Sequence, residues 1–256
     1  RGVAVSRPDN PIIVALDVPE ARSAVELARR LLPHVGAFKV GLELLMGPGP
    51  AAIAAVAALG KPVFADAKLH DIPNTVNRAA RSLGAVGARW VTVHGTGGVA
   101  MMEAAASGLR EGAAGHEAGI LVVTVLTSLS ASDMATAGFA ATPGRQVARV
   151  AKLAASGGAE GVVCSVKELG DVAQVAPDLV RVTPGIRSGQ DPTDDQERVA
   201  TPGEAITRGA DWIVVGRAIT RAPDPAAAAQ SMFEELRSDL EWRVSSNDES
   251  ERPAPP

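Results

Sequence analysis

Charged residues of both signs gather around one short segment, FADAKLHDIPNTV (Phe64–Val76). Asp66 and Lys68 stand two residues apart in an apolar run, so on a regular strand both side chains leave the same face. Asp71 follows three residues later, and Lys39 lies in the preceding apolar run. Two acids and two bases in one small region suit catalysis, because preorganised charge acts where charge develops in a reaction. A structural ion-pair network is the alternative that spacing by itself leaves open.

Further polar residues stand at the ends of other apolar runs. Asp17 ends the first run, His94 ends the fourth, Thr127 follows the fifth and Arg217 follows the eighth. In a parallel barrel the carboxyl ends of the strands meet at one face, where the active site lies. We therefore expect these residues to lie near the charged segment. For any single one, the alternative is a strand end that is polar because it meets water, and for His94 it is a hydrogen bond in the core.

Eight short apolar runs alternate with longer amphipathic stretches rich in Ala and Leu, and they predict the elements that position these residues. Near-continuous apolar runs are typical of parallel strands covered on both faces. Eight such units in 256 residues predict the α/β class, as a single-domain (β/α)8 TIM barrel. A doubly wound open sheet uses the same alternation, but no GxGxxG follows the first run. The runs are Ile12–Leu16, Ala37–Val40, Val63–Ala67, Trp90–His94, Ile120–Leu126, Gly161–Ser165, Leu179–Thr183 and Trp212–Gly216.

No shift in composition divides the chain, so we expect residues 11–240 to form one barrel domain. Residues 1–10 are expected to be an N-terminal extension. Residues 241–256 are expected to be a disordered tail, because SSNDESERPAPP (Ser245–Pro256) is polar, rich in proline and without periodicity. The longest irregular region inside the barrel runs from Pro184 to about Thr193, after the seventh run.

The composition argues against several classes of protein. A net charge of −4, 3% aromatic residues and no Tyr argue against a nucleic-acid partner, which usually needs basic patches and stacking rings. No segment approaches the roughly 20 apolar residues of a membrane helix, and no secretory segment is expected. The single Cys164 rules out an intrachain disulfide framework and fits a reducing, cytoplasmic location. The histidines and Cys164 lack metal-ligand spacing, so we expect no metal and no organic cofactor.

The segment DAKLHDIPNT resembles, nearly letter for letter, the signature of the orotidine 5′-monophosphate decarboxylase family. Further segments resemble blocks of the same family in the same order, over about residues 12–233. These segments are ALD (Ala15–Asp17), FKVG (Phe38–Gly41), VHG (Val93–Gly95), VLTSLSASD (Val125–Asp133), VTPGIR (Val182–Arg187) and VVGRAIT (Val214–Thr220). The resemblance, closest to the bacterial type, implies a cofactor-independent lyase that converts orotidine 5′-monophosphate to UMP and CO2. That reaction is the last step of de novo pyrimidine biosynthesis.

Two other functions compete with this interpretation. The pattern D-x-K-x-x-D is shared with related barrels that act on sugar phosphates as decarboxylases or aldolases, whereas the following IPNT, with LTS and TPGIR, looks specific to the orotidylate enzymes. A non-catalytic nucleotide-binding barrel would require the loss of a catalytic group. Lys39, Asp66, Lys68 and Asp71 are all present, which argues against that second alternative.

The resemblance implies a catalytic role for each of these four residues. Lys68 would stabilise the carbanion that develops at C6 of the pyrimidine and would deliver a proton to it. Asp66 would lie beside the departing carboxylate, and Lys39 completes the alternating array. Asp71 would hold Lys68 in position from the other subunit, so a homodimer with shared active sites is implied.

The resemblance also implies how the substrate is bound. Asp17 and Lys39 look like contacts to the ribose hydroxyls, with Thr75 and Asp71 crossing from the other subunit. Thr127 would contact the nucleotide near the base, and Ser130 is a weaker candidate. For Thr127 an ordinary helix cap is the alternative.

The phosphate is expected at the loops after the seventh and eighth strands, the usual location in such barrels. Gly216 lets backbone N–H groups approach the phosphate, and Arg217 supplies a bidentate donor. Arg187 and a glutamine of the seventh loop complete this end of the site by resemblance. Gln196 fits the bacterial pattern better, and Gln190 is the alternative if the loop is gapped differently.

Overall fold

Eight parallel strands form a closed barrel in chain order. The computed structural model describes residues 8–187 and 200–250, with side chains described as far as residue 237. Because the first strand pairs with the eighth as well as with the second, the sheet has no free edge. The predicted (β/α)8 TIM barrel is confirmed, and the open doubly wound sheet is excluded. The strands are β1 (Ile12–Ala15), β2 (Ala37–Val40), β3 (Val63–Leu69), β4 (Trp90–His94), β5 (Gly119–Val123), β6 (Gly161–Val163), β7 (Val180–Ile186) and β8 (Trp212–Val215).

Helices connect the strands and cover the outside of the barrel. Four of them begin at a proline, whose fixed φ suits the first turn and whose missing N–H would have no partner there; these prolines are Pro73, Pro143, Pro202 and Pro225. None of the described helices is long and apolar enough to cross a membrane. The helices are α1 (Ala21–Leu31), α2 (Leu42–Met46), α3 (Ala51–Ala57), α4 (Pro73–Ala85), α5 (Val99–Ala113), α6 (Ala131–Thr136), α7 (Pro143–Ser156), α8 (Leu169–Val175), α9 (Pro202–Thr207), α10 (Arg217–Thr220) and α11 (Pro225–Ser250).

Two separate apolar cores lie on the two faces of the sheet. Alternate strand residues such as Ile12, Val14 and Val91 belong to the large core shared with the helices. The intervening residues form a smaller core inside the barrel. This inner core consists of Ile13, Ala15, Ala37, Phe64, Trp90, Leu121, Val180, Val182, Trp212 and Val214.

The amino-terminal end of the barrel is filled by two tryptophans. Trp90 and Trp212, the first residues of β4 and β8, meet edge to face with ring centroids 5.3 Å apart. The indole N–H of Trp90 donates to Glu160 Oε1 at 2.8 Å, and Arg89 also binds this carboxylate. The filled amino-terminal end leaves the carboxyl ends of the strands as the place where a ligand can enter.

Helices α4 and α5 approach so closely that glycines are needed between them. A Cβ atom on Gly108 would lie 2.1 Å from the carbonyl oxygen of Asn77, and one on Gly112 would lie 2.0 Å from that of Arg81. Helix α4 begins directly after Asp71 and Ile72, so this contact holds the segment that follows β3.

Several boundaries differ from those expected. Strands β3 and β7 continue two or three residues further than predicted, to Leu69 and Ile186, and both contain a shift of register. The predicted domain boundary at residue 240 falls inside α11, whose backbone is helical to Ser250. Residues 1–7 of the expected extension, residues 188–199 of the seventh loop and residues 251–256 of the expected tail lie outside the described residues.

Candidate active site

Because side chains alternate along a strand, four polar side chains point into the barrel at the carboxyl end of its strands. Each follows an inner-core residue by two positions, so it lies on the same face one layer higher. The four residues are Asp17, Lys39, Asp66 and Thr92. Three of them were predicted as site residues, whereas Thr92 was not.

The charged groups form a chain of alternating sign. Asp17 Oδ1 lies 3.1 Å from Lys39 Nζ, which lies 3.6 Å from Asp66 Oδ2. That same oxygen lies 2.7 Å from Lys68 Nζ. Within one chain the fourth member of the array is therefore Asp17 rather than Asp71. Alternating signs offset part of the cost of removing these charges from water.

Asp66 lies at the centre of this array, between the two lysines. Burial by itself would raise the pKa of the Asp66 carboxyl. The ammonium groups of Lys39 and Lys68, with hydrogen bonds from Lys68 and Thr92, outweigh burial and hold that pKa below its ordinary value. The side chain is only 14% exposed, so Asp66 is a buried carboxylate that stays charged at neutral pH.

The backbone of β3 is irregular around Lys68, whose side chain contacts Asp66. From Ala65 to Leu69, β3 uses four residues where β4 uses two, from Val91 to Val93. Inside this bulge Lys68 has φ of 49°, in the left-handed region that few non-glycine residues occupy. The predicted proximity of the Asp66 and Lys68 side chains is confirmed, but regular strand alternation is the wrong reason for it. Residues strained in this way are concentrated at functional sites.

Thr92 joins the bulge to the carboxylate. Its hydroxyl accepts a hydrogen bond from the Lys68 backbone N–H at 2.9 Å and donates one to Asp66 Oδ1 at 3.0 Å. The residue is fully buried on β4. A threonine in a strand is ordinary, so nothing in its local sequence distinguished Thr92. The one available signal was its place two residues after an inner-core tryptophan, level with Asp66.

A cavity of about 1100 Å³ opens above the array. Among the residues predicted for the site, eight line it: Asp17, Lys39, Asp66, Lys68, Thr127, Arg187, Gly216 and Arg217. Apolar side chains, among them Phe64, Val125 and Leu126, form other parts of its wall. The cavity therefore combines a charged floor with apolar surface, which suits a small ligand that has both apolar and polar or charged parts.

Arginines line another part of the same cavity. Arg187 follows β7 and Arg217 begins α10, as predicted, and Arg221 lies one turn after Arg217 on the same wall. A Cβ atom on Gly216 would meet only Ala15 and Asp17, at 3.8 and 4.0 Å. Protein packing therefore does not demand glycine there, so its absent side chain leaves the backbone open toward the cavity. Gln196 and Gln190 both lie outside the described residues.

The absence of a side chain at Gly41 leaves space for the ion pair between Lys39 and Asp17. A Cβ atom on Gly41 would lie 2.8 Å from Lys39 Nζ and 3.2 Å from Asp17 Oδ1. Any larger residue would push against that pair. Sequence reasoning included Gly41 in a resembling block but did not single it out.

Asp71 and Thr75 lie away from the cavity of their own chain. Both are exposed, and Asp71 Oδ1 accepts the backbone N–H of Ile72 at 2.6 Å. Neither residue lines the cavity, and the neighbouring Ile72 is 65% exposed. The structure of one chain thus does not bring Asp71 to Lys68.

The cap expected as an alternative for Thr127 is formed by another residue. Ser130 caps α6, because its hydroxyl accepts the Asp133 backbone N–H at 3.1 Å while the Asp133 carboxylate accepts the Ser130 N–H. Thr127 instead follows β5 on the cavity wall. Ser130, the weaker candidate, does not line the cavity, so a structural role accounts for it.

The remaining candidates do not form a metal or nucleophile site. His94 and His70 have ring centroids 5.5 Å apart and lie outside the cavity lining. Burial, with the nearby His70 and Lys68, holds the pKa of His94 below its ordinary value. Cys164 is buried, and burial raises the pKa of its thiol to about 12. The described part of the chain contains no group of three or more His, Cys, Asp or Glu side chains placed to hold a metal ion.

Comparison with known proteins links this cavity to a family. The model of the orotidine 5′-phosphate decarboxylase / HUMPS family matches residues 10–232. A protein named orotidine 5′-phosphate decarboxylase from Anaeromyxobacter sp. (strain K) is 50% identical over 227 residues, covering 88% of this chain and 98% of the relative. Another from Moorella thermoacetica is 46% identical, covering 88% and 91%. The crystal structure of orotidine 5′-phosphate decarboxylase from Lactobacillus acidophilus has a TM-score of 0.78 at 38% identity, covering 88% and 98%.

Proposed function

This chain belongs to the orotidine 5′-phosphate decarboxylase / HUMPS family and decarboxylates orotidine 5′-monophosphate to UMP, and we propose that it does so by electrostatic stabilisation of a carbanion at C6. The observation that carries the mechanism is the alternating array of Asp17, Lys39, Asp66 and Lys68 on the floor of the cavity. Preorganised charge of this kind lowers a barrier without reorganising during the reaction.

The cavity suggests one orientation for the nucleotide. The phosphate would lie against Arg187 and Arg217, where guanidinium groups can bind it in bidentate fashion and Gly216 leaves the backbone accessible. The ribose hydroxyls would meet Asp17 and Lys39. The pyrimidine would then extend over Lys68, with Thr127 and apolar side chains around it.

Lys68 is the residue that we assign to proton transfer. The bond between C6 and the carboxylate breaks, CO2 leaves, and the electron pair of that bond stays on C6. The Lys68 ammonium stabilises this pair and then donates a proton to C6, which gives UMP and a neutral amine that regains a proton from water. Asp66, 2.7 Å from Lys68 Nζ, orients the ammonium and repels the substrate carboxylate.

We further propose a homodimer in which Asp71 and Thr75 complete the site of the other subunit. Support comes from their position: both are exposed and outside their own cavity, next to the 65% exposed Ile72. Exposed apolar side chains on α2, Leu42 at 45% and Met46 at 77%, offer further surface for such a contact. A cytoplasmic location also stays a proposal, supported by the single, unpaired cysteine.

The first test is the decarboxylation itself. Wild-type protein should consume orotidine 5′-monophosphate, measured by its pyrimidine absorbance and by CO2 release, and Lys68→Ala should lose nearly all turnover while it stays folded. Turnover of a keto-sugar acid phosphate instead of the nucleotide would contradict the proposal, and substantial activity of Lys68→Ala would contradict the role of Lys68.

Mixing two inactive variants tests the shared site. Lys68→Ala and Asp71→Ala should each be nearly inactive alone, but a mixed dimer contains one complete site, with Lys68 from one subunit and Asp71 from the other. Unfolding and refolding the two together should therefore restore about a quarter of wild-type activity, because half of the dimers are mixed and each has one intact site. No recovery, with mixed dimers verified by mass, would show that Asp71 does not act across the interface.

A further inference from the structure

We propose that Thr92 is a positioning residue for the decarboxylation, whose hydroxyl holds the Asp66 carboxylate and the Lys68 backbone in one fixed arrangement. The proposal rests on the proposed function, because it assigns Thr92 to the array that performs that reaction. Thr92 lies on β4, level with Asp66, and does not line the cavity. It therefore acts through Asp66 and Lys68 and not on the substrate.

Both hydrogen-bonding directions of the Thr92 hydroxyl are used at the array. Its proton goes to Asp66 Oδ1 at 3.0 Å, and its oxygen accepts the Lys68 backbone N–H at 2.9 Å. The residue has no exposed surface, so water does not compete for either bond. A hydroxyl has one proton to donate, so the accepted bond from Lys68 leaves that proton directed at Asp66.

The bond to Lys68 compensates for the irregular strand. Within the bulge the ladder between β3 and β4 is interrupted, from Ala65 to Leu69, and a buried N–H without a partner costs about 1–3 kcal/mol. The Thr92 side chain supplies that partner. It thereby stabilises the left-handed backbone, φ 49°, from which the Lys68 side chain reaches Asp66.

The bond to Asp66 fixes the plane of its carboxylate. The two oxygens of Asp66 have different partners: Oδ2 lies near both lysines, and Oδ1 accepts the proton of Thr92. Without Thr92, the carboxylate would be free to rotate, and both lysines would then shift from their positions on the cavity floor. Catalysis by preorganised charge depends on such placement, since an error of about 1 Å can cost on the order of a hundredfold in rate.

The matched substitution Thr92→Val removes the hydroxyl and keeps the shape. We expect kcat to fall about tenfold or more, while KM and the Kd of UMP change less than about threefold, because the contacts to ribose and phosphate remain. Thr92→Ser keeps the hydroxyl and should recover most of the lost kcat. Hydrogen exchange of the Lys68 amide should be faster in Thr92→Val than in wild type and close to wild type in Thr92→Ser.

Thr183→Val is the control. Thr183 is also fully buried on a barrel strand, but its hydroxyl has no hydrogen-bond partner among the described residues. The same substitution there should leave kcat and Lys68 amide exchange unchanged. A loss of kcat in Thr183→Val equal to that in Thr92→Val would attribute the effect to general core damage and overturn the proposal.

Two outcomes separate this proposal from the proposed function. Wild-type protein that releases no CO2 from orotidine 5′-monophosphate would overturn the proposed function, and the role of Thr92 with it. An active wild type with full kcat in Thr92→Val, or with equal loss in Thr92→Ser, would overturn the role of Thr92 alone.

Discussion

Asp66 contacts three other residues of the site, since Lys39, Lys68 and Thr92 all reach its carboxylate. Removing one lysine would leave a buried negative charge with fewer partners, which is costly. Burial by itself would raise the pKa of Asp66, but its partners lower that pKa below the ordinary value. Such a carboxylate stabilises the fold above its unfolded pKa of about 3.9, and this stabilisation is lost as the pH falls through the folded pKa.

We therefore expect Asp66→Asn to remove part of the acid sensitivity of folding. The free energy of unfolding of wild type, relative to that of Asp66→Asn, should decrease as the pH is lowered from about 6 to about 3. Urea unfolding at several pH values measures this difference. Asp178→Asn, a change at an exposed carboxylate, serves as the control, and a wild-type advantage independent of pH would contradict the expectation.

At the scale of elements, two features fix the position of the charged segment Phe64–Val76: the bulge in β3 and the close contact between α4 and α5. The bulge sets Lys68 in place, and α4 starts directly after Asp71. The absence of side chains at Gly108 and Gly112 allows the backbones of the two helices to approach. The position of Asp71 and Thr75 thus depends on helix packing as well as on β3.

Gly112→Ala should destabilise the barrel by about 1–3 kcal/mol, because its Cβ would overlap the carbonyl oxygen of Arg81 and the two helices would have to separate. Urea unfolding measures the change. Gly170→Ala in α8 is the matched control, since its added Cβ would meet no described atom within 4 Å apart from its chain neighbours and the nearby backbone of its own helix, and it should be neutral or slightly stabilising. Equal stability of Gly112→Ala and wild type would show that the helix contact is looser than described.

At the scale of the whole molecule, the protein has a net charge of −4, but part of its cavity wall is positively charged. Arg187, Arg217 and Arg221 all line the cavity of an otherwise acidic protein. Such local charge raises the rate at which an anionic substrate is captured, and salt screens the effect. Arg221 is exposed, so its contribution should lie more in attracting the nucleotide than in binding it tightly.

Arg221→Gln should lower kcat/KM several-fold at low ionic strength, with kcat nearly unchanged, and should weaken the fall of kcat/KM with added salt. Steady-state kinetics across a salt series tests this expectation. Arg110→Gln makes the same change of charge at an exposed position outside the cavity lining and should keep the wild-type salt dependence. Identical salt dependence of Arg221→Gln and wild type would exclude a steering role for Arg221.

The fold class and much of the candidate site could be predicted from the order of the amino acids. Eight apolar runs predict eight strands because parallel strands covered on both faces must be apolar, a property of each run taken separately. The charged segment predicted the contact between Asp66 and Lys68, which are near neighbours in the chain. Polar residues at strand ends also predicted the cavity lining, because every carboxyl end of a parallel barrel lies at the same face.

The residues that complete and support the array are identified by contacts between strands, which local sequence does not predict. Thr92 meets Asp66 across 26 positions of sequence and Lys39 meets Asp17 across 22, and both contacts depend on strand register. Lys68 has a positive φ within a bulge where the register between β3 and β4 shifts. The apolar pattern of neither strand predicts that shift. Contacts between distant residues follow from the packing of whole elements, so local patterns could nominate the charged residues but not identify the hydroxyl that holds them.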